Sequence, residues 1–452
     1  MKHPILRWLW LGVTALAIAG VFAIILVAAR TPQLAVFGGL FSVALVVHVD
    51  LSVLLWFLCA GGMGWTALAL RHDGPPPYWA AGGFWTMAAA TACIALSPLG
   101  GHWEVVKSNY IPVLNNFPFL MGLGLLAAGL VVVLLPVMSV ALSPARLKKL
   151  AGDETMFAAA AVTTLLALLM FFLSARIVPA GLEATQRFEI LFWSGGHVLQ
   201  FSFSLLMMAG WLALADGLAF KPVKLWWVRI AAFIAVGAAL KSASAFLTHP
   251  FDASQTANFD ISEFAYFQTR VMIELGGIGA ALIAIVLAGK LLVAPTITRA
   301  NRAYASTLAA SLVLFVAGGV LGTLIRGQNV IIPAHYHGAI VGITLALMGY
   351  AYTLLPKYGY PSVAGWRLAF WQPIVYGIGQ LMHIGGLAYS GGYGVLRKTP
   401  AGETPNLAPD VKAALGFMGM GGLLAIIGGL LFVLVMVKVL RAGRRVTAPA
   451  TV

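Results

Sequence analysis

The sequence predicts an all-α integral membrane protein: a bundle of about twelve transmembrane helices forming one polytopic domain over residues 1–452. Three observations predict it. The chain is 61% hydrophobic and only 9% charged, whereas a soluble domain carries roughly 25% charged residues. Apolar stretches recur near 6–28, 35–60, 78–98, 114–141, 155–176, 188–216, 225–250, 266–293, 304–325, 330–355, 367–391 and 411–440. Several exceed the roughly 20 residues that cross a bilayer, which implies tilt or projection past the lipid. Finally, the basic residues alternate in side. The N-terminus, the loops after even-numbered spans and the C-terminus hold 18 Lys and Arg; the opposite loops hold about 9, and Lys241 lies within a span. That asymmetry predicts that both termini are cytoplasmic, and the expected location is the cytoplasmic membrane of a bacterial or archaeal cell.

Each remaining compositional feature fits that architecture. The first span is too long, and lacks a cleavage site, for a plain signal peptide, so it counts as a span. The net charge of +14 follows from the same asymmetry. The tail Lys438, Arg441, Arg444 and Arg445 reads as a topology anchor, and no basic patch with interleaved aromatics points to nucleic acid. Cys59 and Cys93 both lie in apolar spans and make neither a zinc pattern nor a disulfide framework. The 50 glycines fit close helix–helix contacts.

The chemistry is carried by histidine. Of nine histidines, His3, His72 and His102 fall in terminal or loop segments. The other six, His48, His197, His249, His335, His337 and His383, sit inside or at the mouth of spans, where an ionisable side chain is costly and marks a functional candidate. With the termini inside, all six fall in the outer half of the bilayer at 1.5 Å rise per residue. His335 and His337 are two apart, so on a helix they point roughly 200° from each other. They cannot share one metal, but they can hold two large cofactors on opposite faces of one helix. Neutral imidazole is the usual ligand for heme iron and for copper.

These residues, in this order, resemble subunit I of the heme–copper oxidase superfamily over nearly the whole chain. HVDLSVLLWFLCAGGMGW from His48 resembles the helix bearing one low-spin heme ligand. WSGGHVLQF from Trp193 resembles the Trp-x-x-Gly-His segment whose histidine binds the active-site metal, and HYH at 335–337 resembles the family's His-x-His. The resemblance implies that His335 binds a high-spin heme and that His337 and His48 bind a low-spin heme, both of b type. It also implies that Arg397 and Lys398, within GGYGVLRKT, contact the heme propionates. Two axial histidines make a closed iron for electron transfer; one leaves a face open to a small ligand.

The departures from the family pattern direct the functional reading. The usual pair of adjacent histidines at the end of span seven is LTHPFDAS here, with His249 alone. Asp252, three residues on, is the candidate that completes a non-heme metal site with His197 and His249, holding copper or, with a carboxylate ligand, iron. The tyrosine that oxygen reductases carry one turn after the span-six histidine is Phe201; Gln200 shares the His197 face and is a candidate for hydrogen bonding a bound substrate. Leu199 and Ala281 stand where proton-channel residues are expected. Asp50 and Glu274 are charges within spans that need partners, while Asp252, Asp260 and Glu263 lie on the outer side, from which protons would enter.

The pattern therefore implies a divergent catalytic subunit of the nitric oxide reductase kind, coupling two molecules of nitric oxide to nitrous oxide. A terminal oxygen reductase is the alternative, and a non-catalytic heme-binding relic or sensor a further one. Pairing two diatomics at one site removes the entropic penalty of their encounter. No Cys-x-x-Cys-His and no copper–thiolate cluster is present, so electrons come from a partner subunit carrying heme c or copper, or from quinol.

Overall fold

The computed structural model describes residues 3–34, 37–72, 77–101, 104–293, 297–400 and 407–443. His102, Arg444 and Arg445 lie outside these residues. The described chain is helical almost throughout. Eleven of its helical segments are long and apolar enough to cross a membrane. In chain order the spans are α1 (Pro4–Arg30), α2 (Gly38–Arg71), α3 (Pro77–Leu96), α4 (Phe117–Ala141), α5 (Gly152–Ile177), α6 (Ala184–Gly217) and α7 (Leu225–Thr248). Next come α8 (Glu263–Leu275, continued by Ile278–Val293), α9 (Arg302–Thr323), α10 (Ile331–Lys357), α11 (Arg367–Gly392) and α12 (Pro409–Ala442). The helix α11, 26 residues long, meets the eleventh expected span and is the one expected span that is not among those eleven. A small sheet among the described residues pairs β1 (Val105–Val106) with β2 (Val113–Leu114), antiparallel, between α3 and α4.

The helix starts follow local chemistry. Asn116 accepts the Phe119 N–H at the head of α4, and Ser262 accepts the Ala265 N–H at the head of α8, each satisfying a donor that the first turn leaves orphaned. Glu154 reaches back to the Ala151 N–H at the start of α5. Within α2, residues Asp50–Leu55 widen into a π-helical stretch, a feature often found at functional sites.

The chain forms two compact units. The first comprises Met1–Ala15, Val49–Ala209 and Val223–Ile285; the second comprises Leu16–His48, Gly210–Pro222 and Val286–Val452. In the first unit, polar groups on apolar helices find partners: Trp8 Nε1 donates to Thr66 Oγ1 at 2.9 Å, Trp65 Nε1 to the Phe157 carbonyl at 3.0 Å, and Gln268 Nε2 to Ser194 Oγ at 2.7 Å. An unmet donor costs several kcal/mol in hydrocarbon, so such bonds set which faces turn inward.

In the second unit, glycine decides how closely helices approach. A Cβ at Gly318 of α9 would lie 2.3 Å from the Ala339 nitrogen of α10. On the α11–α12 seam, a Cβ at Gly379 would lie 2.4 Å from the Ala425 nitrogen, and one at Gly386 would lie 2.4 Å from the Ala414 carbonyl oxygen. Lipid provides no hydrophobic drive between helices, so this backbone-to-backbone packing supplies the dispersion contacts that hold the seams.

Candidate functional site

The second unit gathers four of the six intramembrane histidines. His48 comes from α2, His335 and His337 from the first turns of α10, and His383 from α11. Three are fixed the same way. His48 Nδ1 lies 3.0 Å from the Ala19 carbonyl, His335 Nδ1 2.7 Å from the Gly318 carbonyl, and His383 Nδ1 3.1 Å from the Met418 carbonyl. A carbonyl only accepts, so each Nδ1 carries the proton and each neutral ring keeps its lone pair on Nε2. This is how a protein orients and fixes the tautomer of an imidazole that ligates a metal. Small residues make room for the rings: a Cβ at Gly322 would lie 2.8 Å from His335 Nδ1.

His337 and His383 stand edge to face, ring centroids 4.9 Å apart at 67°. His48 and Arg30 are electrostatic neighbours of both. Arg30, at the end of α1, donates to the Leu396 carbonyl at 3.2 Å. That carbonyl belongs to a loop stitched to the head of α10: Val330 N–H donates to the Val395 carbonyl at 2.9 Å, and Asn329 pairs with Leu396. Lys398 takes a left-handed conformation, φ 60°, where the loop turns. Tyr336, between the two histidines of α10, has Arg397 and Arg30 as electrostatic neighbours. The expected basic pair thus sits on a loop latched to the histidine helix, and Arg30 joins it. Sequence reasoning missed Arg30, because Arg397 and Lys398 were found by the resemblance of their segment, and Arg30 lies in no such segment.

The first unit holds His197, and there the expectation changes. His197 is 2% exposed. Its Nδ1 bonds the Trp193 carbonyl at 3.0 Å, and its Nε2 bonds the Tyr110 hydroxyl at 3.0 Å. The hairpin between α3 and α4 delivers Tyr110. Glu189 of α6 receives both the backbone N–H and the side-chain amide of Asn109, and Tyr110 lies on Gly196, where a Cβ would fall 2.3 Å from Cγ of its ring. Burial, reinforced by the Glu189 charge, pushes the Tyr110 phenol up, so the hydroxyl donates and His197 Nε2 accepts. Both ring nitrogens are then spoken for. Tyr110→Phe should cost about 1–3 kcal/mol by leaving buried Nε2 without its donor, readable as a lowered melting temperature in detergent.

The other two residues of the expected metal set go elsewhere. His249 follows the last turn of α7 with φ −138° and ψ 63°; its Nδ1 lies 2.9 Å from Thr248 Oγ1 and its ring stacks on Phe267 at 4.4 Å. Asp252 is exposed, and its Oδ1 accepts the Ser254 N–H at 2.8 Å, which holds its carboxyl below the usual range. Among the described residues no three of His, Cys, Asp and Glu come together to hold a metal ion. His197, His249 and Asp252 are thus not assembled into a non-heme metal site. The physical reason is that each side chain is engaged elsewhere: His249 by Thr248 and Phe267, Asp252 by the Ser254 N–H, and His197 by Trp193 and Tyr110.

Gln200 does line a cavity, of about 20 Å³, with Asp50, Tyr110, Ile111 and Gly196, room for one water molecule. Asp50 is 1% exposed and, among the described residues, neither carboxylate oxygen has a hydrogen-bond partner. Glu274 has its partner one turn away: Arg270 Nε donates to it at 2.8 Å.

No protein-family model matches the chain. Uncharacterized protein RP382 of Rickettsia prowazekii (strain Madrid E) is 31% identical over 510 residues, covering 94% of each chain. The chain belongs to the RP382 family. An uncharacterized protein of Aquifex aeolicus (strain VF5) is 26% identical over 366 residues, 79% of this chain and 86% of that one. Among solved structures, a heme-copper terminal oxidase dimer seen by cryo-EM matches with a TM-score of 0.70 at 16% identity, over 100% of this chain and 86% of that chain. This chain therefore has the all-α membrane fold of a heme-copper oxidase subunit I.

Proposed function

We propose that this chain is the heme-carrying catalytic subunit of a membrane oxidoreductase, with two b-type hemes held by its second unit. His48 and His337 serve the low-spin heme and His335 the high-spin heme, with Arg397, Lys398 and Arg30 toward the propionates. The observation that carries the reading is the repeated Nδ1-to-carbonyl anchor at His48 and His335. Bound hemes supply one-electron transfer and an open iron face for a diatomic ligand. The chain's own residues fix the tautomers, place positive charge at the mouth and exclude water with apolar helices. The residues present do not fit a second, non-heme metal at His197, so no step runs through one.

Nitric oxide is the proposed substrate and dioxygen the second choice, because Phe201, fully buried, stands where an oxygen reductase of this resemblance has a tyrosine. Electrons come from a partner subunit or from quinol, at the periplasmic side of a cytoplasmic membrane. The test is a heme count on purified protein, with consumption followed at nitric oxide and oxygen electrodes. About two hemes per chain and nitric oxide uptake are expected; a colourless protein would sink the reading. In the same preparation Asp252→Ala should leave the metal count unchanged, since that carboxylate caps Ser254 at the surface. A second reading, an electron relay or sensor without gas reduction, is favoured by the fully bonded state of His197. Two hemes with silent electrodes would select it.

A further inference from the structure

We infer that His383 is a reserve axial ligand for the low-spin heme, able to take the place of His337 on the iron. The inference rests on the heme reading above and deepens it. The sequence singles out His383 only as one of six intramembrane histidines, and the expected ligand pair is His48 and His337. The structure distinguishes these rings differently. His48 and His383 carry carbonyl anchors at Nδ1, from Ala19 and Met418. Among the described residues His337 carries none. The residue assigned to the iron is therefore the least restrained of the three, and an anchored imidazole stands beside it at 4.9 Å.

His383 is also held from behind. A Cβ at Gly421 would lie 2.5 Å from the His383 backbone nitrogen, and one at Gly422 would lie 3.2 Å from its Nδ1. With α12 against it, the ring has little room to withdraw from His337. Arg30 and His48 are electrostatic neighbours of His337 and His383 alike, so either ring offers the iron the same surroundings. The three do not close around a single ion, and a porphyrin iron needs only two axial ligands at a time. An anchor of this kind is worth about 10–100-fold in metal affinity, enough for His383 to hold the iron once His337 is gone.

The test uses the purified full-length ferric protein, read by Soret absorption and electron paramagnetic resonance in wild type, His337→Ala, His383→Ala and the double variant. Expected are a bis-imidazole low-spin signal that survives His337→Ala with altered g values, and its loss by about tenfold or more in the double variant. His383→Ala alone should keep the signal. If His337→Ala already matches the double variant, the inference falls while the heme reading stands. If wild type binds no heme, the heme reading itself falls. His337→Asn, closer in volume, serves if the alanine variant does not accumulate. Failure of both, with His383→Ala folding normally, also overturns the inference, because His383 would then not substitute.

Discussion

His335→Ala is expected to remove one of two hemes, lowering the count from about two per chain to about one, and to abolish binding of carbon monoxide to the ferrous protein. The low-spin spectrum should persist. Ligand number sets the size of the effect. A high-spin heme hangs from the protein by a single iron–nitrogen bond, so losing that bond leaves only apolar contacts and the propionates. Two observations support the proposed role: His335 Nδ1 is held by the Gly318 carbonyl at 2.7 Å, and Gly322 leaves space against the ring. Pyridine hemochrome and carbon monoxide difference spectra read the outcome. A variant with unchanged heme content and unchanged ligand binding would remove His335 from the site.

Gly318→Leu should give the largest structural loss, about 3 kcal/mol or more, because overpacking cannot relax where the obstacle is backbone. The new Cβ alone would lie 2.3 Å from the Ala339 nitrogen, 2.8 Å from the Gly338 carbonyl carbon and 2.8 Å from the His335 carbonyl oxygen. Helices α9 and α10 must then separate, and the Gly318 carbonyl moves away from His335 Nδ1. Melting temperature and heme content should fall together. Gly319→Leu is the control: no atom lies within 4 Å of a Cβ there, and little change is expected. Equal losses in both variants would show that the seam is not what holds this pair.

Most of the architecture was legible in the chain because apolar length and charge asymmetry report directly on bilayer crossing. The expected spans at 114–141 and 367–391 meet the observed α4, Phe117–Ala141, and α11, Arg367–Gly392, to within three residues at either end. The expected span two stops at 60, whereas α2 runs on to Arg71. Its extra turn in Asp50–Leu55 leaves no mark on hydropathy, because a widened turn keeps the same residues apolar. His48, His335 and His337 stood out in the sequence because each is an ionisable residue on an apolar stretch, and the structure places each on a spanning helix. His197 was recognised but its partner was not: Tyr110 arrives from a hairpin 87 residues earlier, and no periodicity reports a contact of that range. His249 and Asp252 were paired by nearness in sequence alone, and nearness in a loop does not fix where side chains point: His249 turns to Thr248 and Phe267, and Asp252 to the Ser254 N–H.

The carbonyl of Ala19 and the guanidinium of Arg30 both belong to the second half of α1. That segment contributes no iron ligand, yet it sets the tautomer of His48 and latches the loop that carries Arg397. Exchanging residues 16–30 alone for another apolar sequence, with Trp8 and its bond to Thr66 kept, should preserve insertion while yielding a pale protein. A screen for pigment loss should accordingly recover lesions at the amino-terminal end of the chain, far in sequence from His335 and His337.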